Sequence, residues 1–179
     1  MSASTINPLD YSGDHRVSYL VGEWQKLLQA ENPVHYLIRT SWLFGPNGQN
    51  FVNTIADLLI SKPRVEVVSD QFGGPSYTGD IAQFTLELLE KKAESGLYHF
   101  CNGGHTSWYE FAKEIQKQTG FASCEVAPVP SENVFRPAHR PADSRLDTSK
   151  AVRALGHPIR SWQEALGEFI NKEFQNEPA

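Results

Sequence analysis

An apolar run, Leu37-Ile38, stops abruptly at Arg39-Thr40-Ser41 and resumes with Trp42-Leu43-Phe44-Gly45-Pro46. A buried strand gains nothing from three polar groups at its end unless they meet a ligand, so the stretch reads as a strand opening into a crevice. Downstream stand Asn50-Phe51, Asp70-Gln71 with Gly74-Pro75, and Asp80. Further on come Arg140-Pro141-Ala142-Asp143-Ser144-Arg145-Leu146-Asp147 and Lys150. Each has a plainer reading when taken singly. Trp42 suits a core, Asp80 a charge at a helix N-terminus, and Asp147 a cap for the helix that carries Lys150.

Other chemistries find less support. Gly45-Pro46-Asn47-Gly48-Gln49-Asn50-Phe51 sits between a strand and a helix, as a dinucleotide fingerprint would. Phe51 occupies the third glycine position, where a bulky side chain blocks close helix–strand packing. A turn followed by an Asn50 cap is the favoured reading. Gly73-Gly74 and Gly103-Gly104 lack the spacing altogether. The six histidines never pair at i, i+4 around a carboxylate, so no metal site is expected, and His99 reads as a satisfied strand histidine. No Gly-x-Ser-x-Gly elbow occurs, and neither Cys101 nor Cys124 sits beside an evident base.

The elements that must position these residues alternate. Val17, Leu20, Val21, Trp24, Leu27 and Leu28 are spaced as one face of a helix that Pro33 closes. Residues 34–38 are too short an apolar run for a helix and read as a strand. Asn50 caps a helix carrying Phe51, Ile55, Leu58 and Leu59, and Val65 to Val68 form a strand. A polar, Gly-rich loop over 70–79 leads to a helix near Asp80 that buries Ile81, Phe84, Leu88 and Leu89. Leu97 to Phe100 is strand-like, and Ser107 with Glu110 makes a capping-box pattern for a helix turning Trp108, Phe111, Ala112 and Ile115 inward. Glu125 to Val129 is a further strand. Residues 130–147 have no clear period, and a last helix over 161–174 stacks Trp162, Ala165, Leu166, Phe169 and Ile170. The alternation implies an α/β fold with at least some parallel pairing.

Composition narrows the setting. A chain of 179 residues fits one domain with a sizeable core. A net charge of −5 and the absence of Lys or Arg runs argue against nucleic acid and anionic membranes as partners. No segment approaches the roughly 20 apolar residues needed to span a bilayer. The N-terminal residues carry neither a basic nor an apolar leader pattern, and two isolated cysteines suit a reducing compartment, so a cytoplasmic protein is expected.

In this order, the constellation resembles the C-terminal portion of the extended short-chain dehydrogenase/reductase superfamily, and most closely its dTDP-4-dehydrorhamnose reductase branch. Trp108-Tyr109-Glu110-Phe111-Ala112, after Leu97-Tyr98-His99-Phe100-Cys101-Asn102-Gly103-Gly104, also matches that branch. The resemblance runs over about residues 34 to 170. It implies a Rossmann-like fold reduced to a truncated, partly parallel sheet with flanking helices. It also implies NAD(P)H-dependent reduction of a dTDP-4-keto-6-deoxy-hexose to dTDP-L-rhamnose. By the same analogy Trp42 packs against the sugar at the crevice mouth, and Asn50 and Phe51 lie near the nucleotide. Gln71 and Arg140 reach its pyrophosphate or base, a role the planar, two-pronged guanidinium of arginine fits.

The resemblance is incomplete where the chemistry would be. About forty residues precede the strand, and they hold no Gly-rich turn for NADPH or NADH. Asn7-Pro8-Leu9 and Gly22-Glu23 match the flanks of the family's Tyr-x-x-x-Lys helix. Counted back from Gly22-Glu23, the lysine position holds Tyr19 and the tyrosine position His15; counted forward from Tyr11, the lysine position is again His15. A lysine lowers the tyrosine pKa by its positive charge, and a mostly neutral histidine does not do so reliably. Residues 1–33 are therefore expected to be an altered remnant of the catalytic-helix region, 34–174 the sugar-nucleotide-binding portion, and 175–179 a tail. No catalytic residue is assigned, neither cofactor is expected to bind this chain alone, and dTDP-sugar is the expected ligand. Three functions fit: the substrate-binding part of a reductase that is inactive alone, a non-catalytic sugar-nucleotide-binding or regulatory module, and half of a split enzyme. The strand at 34–38 would keep an exposed edge, so self-association or a separately encoded Rossmann half is expected.

Overall fold

The computed structural model describes residues 25–26, 30–134 and 140–174. Most of the helix expected over 17–28, the whole Tyr11–Glu23 interval and the 175–179 tail lie outside them.

Strand β1 (Tyr36–Arg39) runs parallel to β6 (Gly96–His99), with Tyr36 opposite Gly96 and Arg39 opposite His99. The expected strand at 34–38 thus starts two residues later, because Val34 is 73% exposed and contributes nothing to a core. Strand β2 (Leu43–Phe44) is parallel to β5 (Ser76–Tyr77), and β3 (Arg64–Val68) to β8 (Glu125–Val129), where Val67 faces Pro128. Strand β4 (Phe72–Gly73) is antiparallel to β7 (Thr106–Ser107). The truncated, partly parallel sheet is therefore a set of two-stranded ladders with helices packed across them.

Helix α1 (Phe51–Ser61) starts where expected. The Asn50 side chain accepts from the backbone N–H of Val52 and Asn53, satisfying donors that no helical carbonyl can reach. Helix α3 (Trp108–Thr119) is capped by Ser107, whose hydroxyl accepts from the Glu110 N–H at 3.1 Å. Helix α5 (Trp162–Phe174) opens on a complete capping box, in which Ser161 and Glu164 each hold the other's backbone N–H. Helix α4 (Ser149–Leu155) has Thr148 at its N-cap position, and Asp147, expected as the cap, stands one residue earlier and accepts from the Ser149 N–H at 2.9 Å.

Two expectations need correction. Helix α2 (Thr78–Glu90) begins two residues before Asp80, and Leu89 is 55% exposed rather than buried. Only Phe84 and Leu88 are fully buried on that helix, because one neighbouring layer, β6 with α4, covers it. The second correction concerns the loop over 70–79, which contains β4 and β5. Their partners lie far along the chain, so local pattern cannot show them.

The interior divides in two. One core packs α1, α3 and α5 around β3 and β8 through Val52, Ile55, Leu59, Phe111, Leu166 and Phe169, each at most 3% exposed. The other joins β6, α2 and α4 through Phe84, Leu88, Tyr98, Phe100, Ala151 and Leu155. Arg160 ties the two together. Its guanidinium forks onto Asp80 of α2 at 2.6 and 2.8 Å and reaches Glu168 of α5 at 2.7 Å. Asn102 completes the joint, accepting from the Tyr77 N–H and donating to Asp80.

Candidate sugar-nucleotide crevice

The chain leaves β1 at its carboxyl end and immediately turns. In open α/β sheets, ligands bind in crevices at such strand ends. The Ser41 hydroxyl donates to the Gly74 carbonyl at 2.9 Å inside the protein, and the Trp42 carbonyl accepts from the Ser76 N–H at 3.1 Å. Together these bonds pin the β1–β2 corner to the 70–77 segment. Trp42 itself has φ 46°, the left-handed region that bulky residues avoid at a cost of roughly 1–2 kcal/mol.

What holds Trp42 in that conformation is aromatic. Its ring lies on Trp108 with centroids 3.6 Å apart and planes 11° from parallel. Phe51 leans on Trp108 at 4.5 Å and stacks on Phe111 at 5.5 Å, so the cluster continues into the first core. On strand β4, Gly73 lies so close to the Trp42 ring that a Cβ there would fall 2.4 Å from its Cε2. Only glycine permits that approach. Trp42 and Trp108 both stay half-buried.

The expected ligand residues part company here. Gly73 meets Trp42 directly, and Gln71, two residues earlier, precedes β4 and is buried like Gly73, while the intervening Phe72 is 45% exposed. Alternation along an extended strand puts Gln71 and Gly73 on one face, the Trp42 side. The Gln71 side-chain carbonyl is buried without a hydrogen-bond partner, a state that calls for a donor from outside the described residues. Asn50 and Phe51 are engaged elsewhere. The Asn50 amide accepts from two N–H groups and donates to the Gly45 and Gly48 carbonyls, leaving no spare polar capacity. Phe51 is committed to the aromatic cluster. The α1 N-terminus therefore does not fit a dinucleotide pyrophosphate, since the donors such a group needs are already taken by Asn50.

Arg140 is exposed, two residues before Ala142, whose carbonyl accepts from the Phe72 N–H at 2.8 Å. Ser144 locks the same junction, donating both its N–H and its hydroxyl to the Phe72 carbonyl. Loop 140–147 thereby lies along β4, with Asp143 bridged to Phe72. Asp143 takes a two-pronged bond from Arg145, which holds its carboxyl down at about 2. Sequence reasoning missed Phe72 and Gly73, whose significance lies in a strand pairing invisible from local pattern.

Two histidines border this end of the sheet. His99 is held below the usual histidine range by burial, reinforced by the Arg39 charge, and its buried Nε2 meets no partner among the described residues, a departure from the satisfied histidine expected. His105 is lowered by burial and by Arg145. Both shifts favour the neutral ring. Burial pushes the Cys101 thiol up to about 11, which leaves it unreactive. Among the described residues there is no His/Cys/Asp/Glu group able to hold a metal, and no helix is long and apolar enough to cross a membrane.

Known proteins are similar to this chain along most of its length. A dTDP-4-dehydrorhamnose reductase from Aggregatibacter actinomycetemcomitans is 37% identical over 172 residues, covering 90% of this chain and 56% of that protein. The spore coat polysaccharide biosynthesis protein SpsK of Bacillus subtilis is 36% identical, over 93% of this chain and 56% of its own. The crystal structure of a dTDP-4-dehydrorhamnose reductase from Clostridium acetobutylicum superposes with a TM-score of 0.78 at 36% identity, covering 88% of this chain and 55% of that one. A reductase from Bacillus anthracis solved in complex with NADP gives 0.75 at 32% identity. The UDP-glucose 4-epimerase of Thermus thermophilus, at 18% identity and 0.68, shares the fold. The chain spans about half the length of these relatives. A family profile described as the RmlD substrate binding domain matches residues 3–175, and the chain belongs to that family.

Proposed function

We propose that residues 34–174 are the sugar-nucleotide-binding portion of a dTDP-4-dehydrorhamnose reductase, and that this chain alone does not transfer hydride. The observation that carries the reading is Trp42, fixed in a strained conformation at the carboxyl end of β1 against Gly73, with the buried, unpartnered carbonyl of Gln71 two residues before that glycine. The partly exposed edge of the Trp42 indole suits the apolar rim of a sugar ring, and a buried carbonyl suits a sugar hydroxyl or a base N–H. A fully ionised diphosphate offers no such donor, so the Gln71 carbonyl reads the sugar or the base. Arg140, exposed at the rim, takes the diphosphate. The relatives' names supply the substrate class, and a cytoplasmic setting goes with it. The NADPH or NADH such a reductase uses would be held by residues other than the α1 N-terminus.

Calorimetry on the purified chain with dTDP-L-rhamnose and, separately, with NADPH tests this. Binding of the sugar nucleotide without NADPH supports the reading; NADPH-dependent turnover by this chain alone overturns it. Arg140→Ala is expected to weaken dTDP-L-rhamnose binding by roughly tenfold to a hundredfold, the worth of a charge-assisted pair. An unchanged affinity would remove Arg140 from the site.

A second reading, a Rossmann half or second copy completing the sheet, is favoured by β1. Among the described residues β1 pairs with β6 alone, and all four of its residues are only half-buried. Mixing with a candidate Rossmann chain, followed by light scattering, distinguishes a hetero-complex from a homodimer.

A further inference from the structure

We infer that the cavity between helix α4 and the turn leading into β6 is a binding site for a phosphate group, gripped by Lys150 and Arg153. The site does not depend on the proposed function. Lys91, Glu94, Tyr98, Lys150 and Arg153 line a cavity of about 520 Å³. Ala93 and Ala154 complete its wall, and their small side chains leave the charged groups room to meet a ligand. Lys150, Arg153 and Ala154 share one face of α4, because residues three and four apart are neighbours on a helix. Ala151 and Leu155 turn the other way, into the second core. The cavity opens beside residues 91–95, which lead into the amino end of β6, whereas the crevice lies at the carboxyl end of the parallel strand β1. A ligand held here is distinct from the sugar nucleotide.

Freely solvated surface cations do not account for the arrangement. Lys150 is half-buried, and its ammonium sits 4.4 Å from the centroid of the Tyr98 ring, a residue only 1% exposed. The ring attracts that charge without neutralising it. Arg153 is exposed and forms no ion pair among the described residues; its charge acts on Asp147 only from a distance. Lys91 is committed, since it donates to the Leu155 carbonyl and pairs with Glu87 at 3.4 Å. Glu94 is the one carboxylate lining the cavity. Two cations without ion-pair partners thus converge on one hollow of a chain whose net charge is −5. A doubly charged anion answers that arrangement. The Arg153 fork matches two oxygens of a phosphate, and the Lys150 ammonium supplies a compact point charge beside it.

Calorimetry at constant ionic strength, with inorganic phosphate and separately with ribose 5-phosphate, tests the site. The unaltered chain is expected to bind at least one of them saturably, with a Kd below about 10 mM. Tighter binding of ribose 5-phosphate assigns the site to an organic phosphate, and equal binding assigns it to the free ion. Lys150→Met and Arg153→Gln should each weaken binding by about tenfold, the scale of one charge-assisted contact. Lys150→Arg, which keeps the charge, should retain most of the affinity. If Lys150 only packs on Tyr98, Lys150→Met lowers the melting temperature and leaves phosphate affinity intact, which overturns the inference. Arg140→Ala should leave phosphate affinity unchanged; a loss in that variant alone would move the phosphate to the crevice and overturn the inference too. If Lys150→Met does not fold, the exposed Arg153→Gln decides. No saturable binding of either probe by the unaltered chain also overturns it. Neither probe is a sugar nucleotide, so that failure is read separately from a failure to bind dTDP-L-rhamnose, which would count against the proposed function alone.

Discussion

The two cores differ in how completely they close. Around β3 and β8, three helices cover the strands, and Val52, Leu59, Ile115, Ala165 and Leu166 have no exposed surface at all. Around β1 and β6 the cover is partial. Every residue of β1 is half-buried, and α2 leaves Leu86 and Leu89 53% and 55% exposed. A stable unit with its own ligand groove needs the first kind of packing. The second kind is what the described residues show around β1 and β6. Trp42, proposed above as a ligand residue, sits on the connection from β1 to β2, where the chain passes from the second core to the first.

The comparison breaks first, and by the largest margin, through core truncation. Phe169→Ala, in the closed core, is expected to cost about 3–5 kcal/mol in urea unfolding. Leu88→Ala, in the open one, should cost only about 2 kcal/mol, because that region has more freedom to collapse. Equal losses would show the two cores to be one equally packed unit. Next comes the joint. Arg160→Leu leaves Asp80 and Glu168 without their guanidinium and should cost about 1–2 kcal/mol, discounted because the Arg160 side chain is about a third exposed. A transition that splits in two for this variant would show that Arg160 couples the cores.

Smaller effects sharpen the crevice side. The Asp143 carboxyl is lowered in the folded state, so its contribution is complete at neutral pH and fades as pH falls from about 4 to about 2. An NMR titration of Arg145→Gln should return Asp143 toward the ordinary carboxylate range; no movement would mean that other donors hold it. The smallest stability change belongs to the open face. Leu89→Lys should alter stability by less than about 0.5 kcal/mol while reducing any self-association measured by light scattering.

Much of the closed core was legible from sequence because its signals are local. Spacing places Ile55 and Leu59 on one face of α1, and Trp162, Leu166, Phe169 and Ile170 on one face of α5. Caps such as Asn50 and Ser107 act within three residues. The open region was less legible: Leu89 has the right spacing for burial, yet nothing local says how many layers lie over α2. The site was read only in outline. Trp42 and Gln71 keep the roles proposed for them above, but Asn50 and Phe51 are consumed by capping and aromatic packing, which are also local requirements. The Trp42–Trp108 stack and the fit of Gly73 depend on β4 meeting β7, a long-range pairing that no window of the sequence contains.

Pro128 in β8 has a consequence for assembly. Proline has no N–H to offer an incoming strand, so the outer side of β8 is a poor template for further pairing. Tyr36-Leu37-Ile38-Arg39 in β1 carries no such block. Pairing is therefore favoured on one rim and discouraged on the other. Two copies joined β1 to β1 by a two-fold axis would use up the receptive rim of each and stop there. A molecule receptive at both rims would instead propagate into a filament.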